Sequence, residues 1–159
     1  MTSPTVTALG TPTGHPLADG FSTRVVFSAN TTIELYIKTI TPPGLDGGAG
    51  VDQTTMHNTL WKTKAPRSLI EVTDASFKAA YDPNLYTSIL ALLNSKTGSV
   101  TYWFSDGSAI AFWAYLMKFQ PAEVSEGTQP EADVSIVHTN WDPVAKVEAG
   151  PTVQSTPGT

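Results

Sequence analysis

The chain has 159 residues and a net charge of −5, and it is 40% hydrophobic but only 14% charged. That length suits one domain with one core. The acidic balance excludes tight binding to nucleic-acid phosphates, which takes lysine and arginine, and the absence of cysteine excludes disulfides and thiolate sites.

Residues 1–20 are rich in threonine, proline and glycine and hold a single charge, Asp19. Such a stretch builds no core and reads as an N-terminal arm. It also lacks the basic and apolar regions of a signal peptide. From 21 to 139 the dominant period is two, which marks strands. Residues 24–28 form a short candidate. In 32–40, Ile33, Leu35 and Ile37 alternate with Glu34, Tyr36 and Lys38, and Asn30-Thr31 makes a candidate turn between the two runs.

A long segment, 41–66, comes next. It is glycine-rich at first and then contains Met56, His57, Leu60 and Trp61, which are too apolar to be left in water. Loops of this length are functional or disordered, so the segment is expected to dock on something. Beyond it lie 68–73, with Ile70 and Val72 on one face, and 77–81, which would pair with it across Asp74-Ala75-Ser76. One helix is expected at about 83–95. Asp82 is a good N-cap and Pro83 suits the first turn, while Leu85, Ile89, Leu92 and Leu93 recur at helical spacing.

The clearest hairpin spans 99–119 around Asp106-Gly107. Val100, Tyr102 and Phe104 share a face of its first strand. Ile110, Phe112, Ala114 and Leu116 share one face of the second, with Trp113, Tyr115, Met117 and Phe119 on the other. A strand apolar on both faces is central in a sandwich or covered by a partner. The last strand, 132–139, sets Val134 and Ile136 against Ser135 and Val137. Residues 140–159 read as a C-terminal arm. The longest apolar run, 109–117, is too short to span a bilayer, so no membrane insertion is expected.

Catalytic, metal and cofactor signatures are missing. His15, His57 and His138 have no partners at ligand spacing, and there is neither a Gly-x-Ser-x-Gly elbow nor a phosphate-binding Gly-Lys-Ser/Thr motif. The chain is expected not to be an enzyme and to hold no metal or cofactor.

Several segments, taken in order, resemble the tail tube proteins of siphophages, also called major tail proteins. Residues 51–69 (VDQTTMHNTLWKTKAPRSL) resemble that family's loop-and-strand region. Tyr81-Asp82-Pro83-Asn84-Leu85-Tyr86 followed by Ile89 is similar to the start of its single helix. Ser105-Asp106-Gly107-Ser108, Phe112-Trp113 and Gln129-Pro130-Glu131-Ala132 resemble its C-terminal strands. The resemblance covers about residues 50–140. It implies a mainly β subunit, a β-sandwich or barrel with one helix, a long extended loop and terminal arms. It further implies hexameric rings whose strands join into one inner barrel, stacked through the loop and arms into the tube of a long non-contractile tail. The implied partners are further copies of the chain, a tape-measure protein inside the tube, tail-tip initiator and tail terminator proteins, and phage DNA in transit. The implied location is the virion, after folding in the host cytoplasm. Some members carry an extra immunoglobulin-like domain; a decorated tail surface is not expected here.

A ring closed by strand edges turns an aggregation hazard into an assembly force. For stacking, the candidate is 50–67, with Asp52, Met56, His57, Trp61, Lys62, Lys64 and Arg67 as contact residues and Met56 and Trp61 as apolar anchors. Glu123, Glu126, Glu131 and Asp133 form the densest acidic run and are the candidate partner patch for Lys62, Lys64 and Arg67. Each group also has an ordinary reading: solvated loop charges, or a tryptophan covering its own core. Glu34 is a candidate for the channel wall. The alternative function is a β-sandwich receptor- or sugar-binding virion module with Trp103 or Trp113 lining its cleft.

Overall fold

A computed structural model describes residues 23–30, 33, 35, 37–96 and 98–154; the expected N-terminal arm, His15, Glu34 and Tyr36 lie outside them. In chain order, β1 (Arg24–Phe27) and β2 (Ile37–Thr41) precede four two-residue strands: β3 (Leu45–Asp46), β4 (Val51–Asp52), β5 (Lys64–Ala65) and β6 (Glu71–Val72). Then come β7 (Ala75–Ala80), a 3-10 turn at Pro83–Leu85 and helix α1 (Tyr86–Ser95). β8 (Ser99–Trp103), β9 (Ala109–Pro121) and β10 (Glu131–His138) follow, and β11 (Trp141–Asp142), β12 (Val147–Glu148) and β13 (Thr152–Gln154) complete the series. Among the described residues the chain is mainly β with one α-helix, the class expected from the sequence.

The organising element is β9. Its aromatic and β-branched residues suit a pleated backbone, and it is long enough to serve two neighbours. Residues 109–113 pair with β8, and 114–121 pair with β10. The exchange falls at Trp113 and Ala114: the Ala114 amide donates to Gly98 (3.2 Å) and the Thr139 amide donates to Trp113 (2.9 Å). The strand order β1-β8-β9-β10-β7-β2 is antiparallel throughout and does not close into a barrel. β13 joins the edge of β9 at 109–111, so residues 140–154 contribute a strand to this sheet. One buried cluster takes side chains from both halves: Val25, Phe27, Val100, Tyr102 and Phe112 from one, Phe77, Leu116, Val134 and Ile136 from the other. The two halves therefore fold over a common core.

Helix α1 covers that core with Ile89 and Leu92. Its start is built as the sequence predicts, the Asp82 carboxylate accepting from the Asn84 amide at 2.9 Å. The predicted hairpin at 99–119 and the alternation of β10 are also observed.

Three local expectations are corrected. β1 and β2 do not pair with each other; they lie at opposite ends of the strand order, because Val25 and Phe27 come into register with Tyr102 and Val100 of β8, while β2 adds to β7. Residues 68–73 do not form a hairpin with 77–81. β6 pairs with β3, and both edges of β7 are taken by β10 and β2. Phe119 does not share the face of Met117. A bulge shifts the register between Ser135 and Ile136 and leaves Met117 without an opposite residue, so Phe119 stands opposite Val134 and packs on the core.

Candidate assembly surface

Residues 44–73 form a two-stranded arm, built from most of the long segment expected at 41–66 and the strand expected at 68–73. The base is closed by Gly44 and Thr73: the Thr73 amide donates to the Gly44 carbonyl (2.9 Å) and the Gly44 amide donates to Thr73 Oγ1 (2.8 Å). The β3–β6 rung comes next, then the β4–β5 rung, where Val51 faces Ala65 and Asp52 faces Lys64. Between the rungs, the Gly48 amide donates to Asp46 Oδ1 (2.7 Å), and Arg67 Nε donates to the Ala49 carbonyl (3.0 Å). Arg67 is thus a strut between the two legs. Gly48 has a φ of +74°, which favours glycine, and a Cβ there would lie 2.7 Å from Arg67 Cδ and displace that side chain.

The tip holds its shape by polar bonds. The Gln53 amide donates to Thr63 (2.9 Å), the Thr55 amide to Asn58 Oδ1 (2.8 Å), and Asn58 Nδ2 to the Trp61 carbonyl (3.0 Å). The Thr54 hydroxyl and then its amide hold the Asp52 carboxyl below the usual carboxylate range. With the polar groups occupied along the legs, the apolar ones point away: Met56 is 102% exposed, Leu60 84% and Trp61 79%. His57, Lys62 and Lys64 are exposed beside them.

The structure does not gather the expected acidic patch into one free set. Glu131 is ion-paired with Lys38 at 2.7 Å, and that lysine first, by hydrogen bond and charge, holds its carboxyl below the usual range. Asp133 stands 3.9 Å from Lys78. Glu123 and Glu126 are exposed in the turn between β9 and β10. No local pattern pointed to Lys38 as a partner, because it lies 93 positions from Glu131.

Sequence reasoning also missed a cleft. Leu69 and Ile70, at the root of the arm, face the small β11–β12 hairpin and residues 149–151. They border an open cleft of about 740 Å³ with Leu45, Trp141, Glu148 and Pro151. A second of about 830 Å³, lined by Asp46, Arg67, Glu71, Asp74 and His138, opens along the same segment. Strands of two residues carry no periodicity, so nothing in the sequence announced that these residues meet.

His138 is the one buried polar side chain among the described residues. Its Nε2 is 3.1 Å from the Tyr102 hydroxyl, and its Nδ1 has no hydrogen-bond partner there. Burial lowers its pKa, against the opposing pull of the Asp74 charge and the Thr73 backbone. Among the described residues, no group of three or more His, Asp or Glu is placed to hold a metal ion, and no helix is long and apolar enough to cross a membrane.

No protein-family model and no curated protein sequence matches the chain. Among solved structures it is similar to a chain of the anti-feeding prophage baseplate, 6-fold symmetrised. The TM-score is 0.58 and the identity 8%, over 82% of this chain and 94% of that one. It is also similar to a chain of the virion of a native gene transfer agent particle, with a TM-score of 0.59 and 7% identity, over 87% of this chain and all of that one. At such identities the likeness is one of fold.

Proposed function

We propose that this chain is a structural subunit of a phage-type particle, and more narrowly the tube protein of a long non-contractile tail. The broader reading draws on the company its fold keeps, a prophage baseplate and a gene transfer agent virion. The narrower one adds the resemblance of residues 50–140 and two features of the molecule. First, the sheet half made of β9 from residue 115 to 121, β10, β7 and β2 ends in open edges among the described residues: nothing pairs with the outer side of β2, and residues 115–121 pair only with β10. Such edges invite another copy, and closing them by rotation gives a ring. Second, the arm carries Met56, Leu60 and Trp61 into solvent, where they are available to a neighbouring ring. The exposed arm is the observation that carries the proposal.

In this reading the rings are hexameric. The tube surrounds a tape-measure protein, is begun by a tail-tip initiator and ended by a terminator, and passes DNA without binding it. The chain catalyses nothing, and it acts in the virion after folding in the host cytoplasm. The alternative, a receptor- or sugar-binding module, has less support, since neither Trp103 nor Trp113 lines the two large clefts. Imaging of concentrated protein, alone and with a tail-tip complex, tests the proposal. Stacked rings with sixfold symmetry are expected; a lone monomer under both conditions would overturn it.

A further inference from the structure

We propose that the cleft at the root of the arm is the socket for the arm tip of a second copy of this chain. This deepens the tube reading and rests on it, because it supplies the receiving half of the stacking contact.

The two surfaces match in chemistry. The tip offers Met56, Leu60 and Trp61 with Lys62 and Lys64 beside them. The cleft offers Leu45, Leu69, Ile70 and Trp141, each exposed, with Glu148 beside them, and the adjoining cleft carries Asp46, Glu71 and Asp74 on its rim. The cation at this rim, Arg67, has its Nε bound to the Ala49 carbonyl. The acidic run at 123–133 is a poorer receiver, since Glu131 and Asp133 already face Lys38 and Lys78. A cleft of about 740 Å³ also falls within the range of roughly 300–1,000 Å³ that holds a compact ligand.

Geometry makes the occupant another copy. Socket and tip sit at opposite ends of one arm: from Leu45 to Met56 an extended leg reaches up to about 36 Å. A tip held away from its own socket by paired legs fills the socket of a neighbour. That contact joins different patches on the two molecules, so it leaves one free tip and one free socket at the ends of any chain of copies. A heterologous contact of this kind propagates as a filament wherever its rotation does not close a ring. The lysines and the acidic rim then set register and speed of encounter, while the apolar side chains supply affinity.

The chain has no cysteine, so a mixed-disulfide experiment is clean. A Met56→Cys chain and a Leu69→Cys chain, both altered at exposed positions, are mixed under mild oxidation, with imaging of the same sample. The expected result is a disulfide between unlike chains, about tenfold above either chain oxidised alone, the factor that corresponds to ~1.4 kcal/mol. Adding Lys62→Glu and Lys64→Glu to the first chain should remove that excess, and adding Glu71→Lys and Glu148→Lys to the second should restore it. Tubes without the mixed disulfide would overturn the socket and leave the tube reading standing. Neither tubes nor disulfide would overturn both. A disulfide that forms only after deletion of residues 1–22 would give the cleft to the chain's own N-terminal segment and overturn the inference.

Discussion

The folded sheet and the arm are both antiparallel hairpin structures, yet they treat apolar side chains in opposite ways. In β10, Val134 and Ile136 are 1% and 0% exposed, and every second residue turns inward. In the arm, large apolar residues stand in water on legs fastened by Thr54, Asn58 and Arg67. The sheet draws its stability from its own burial. An isolated two-stranded ribbon is marginal in water, so the arm is held by polar struts while its large apolar groups stay exposed. The molecule thus separates what folds it from what would join it to others.

Mutations should split along the same line. The largest effect is expected from Ile136→Ala, which opens a cavity in the core and should cost about 2–5 kcal/mol in denaturant unfolding. Trp61→Ala should leave unfolding within about 0.5 kcal/mol of the parent but weaken assembly, read by sedimentation, by ~2 kcal/mol or more, as expected of a buried aromatic anchor. Loss of stability in the second variant, or of assembly alone in the first, would blur the division.

The core has a titratable member. His138 is held neutral by burial, its pKa lowered in the folded chain, whereas an unfolded imidazole titrates at about 6.5. The unfolded state therefore takes the proton first. Its contribution to stability is complete above that value and declines as pH falls towards the folded pKa, at no more than about 1.4 kcal/mol per pH unit. Denaturation midpoints followed from pH 8 to 5 should show this slope, and His138→Phe should flatten it. Gly48→Ala should act on the arm alone. Its φ and the approach of Arg67 Cδ would loosen the legs by about 1 kcal/mol, read as faster amide exchange at Gln53, whose amide donates to Thr63, without change in β10. Smallest of all, Lys78→Ala removes an exposed pair at 3.9 Å and should alter stability by less than about 0.5 kcal/mol.

What the sequence disclosed was local. Asp82 and Pro83 announced the helix, Asp106-Gly107 announced the hairpin, and the alternation through Val134 and Ile136 marked the last long strand, because each signal lies within a few residues of what it specifies. What it hid was pairing at a distance. β1 finds β8 across nearly half of the chain and β2 finds β7 across about a quarter of it, and Lys38 finds Glu131. The bulge at Met117 reverses the face of Phe119 without any mark in the sequence. For the candidate surface, the apolar character of Met56 and Trp61 was plain, but the cleft beside Leu69 and Trp141 exists only once two short hairpins are placed together.

The division between a self-sufficient sheet and an outward-facing arm is tested most directly by oxidative footprinting of Met56 and Trp61 in the dispersed and the assembled protein. Both side chains should be modified readily when the chain is dispersed and protected on assembly. Protection already present in the dispersed chain, or equal modification in both states, would contradict the account.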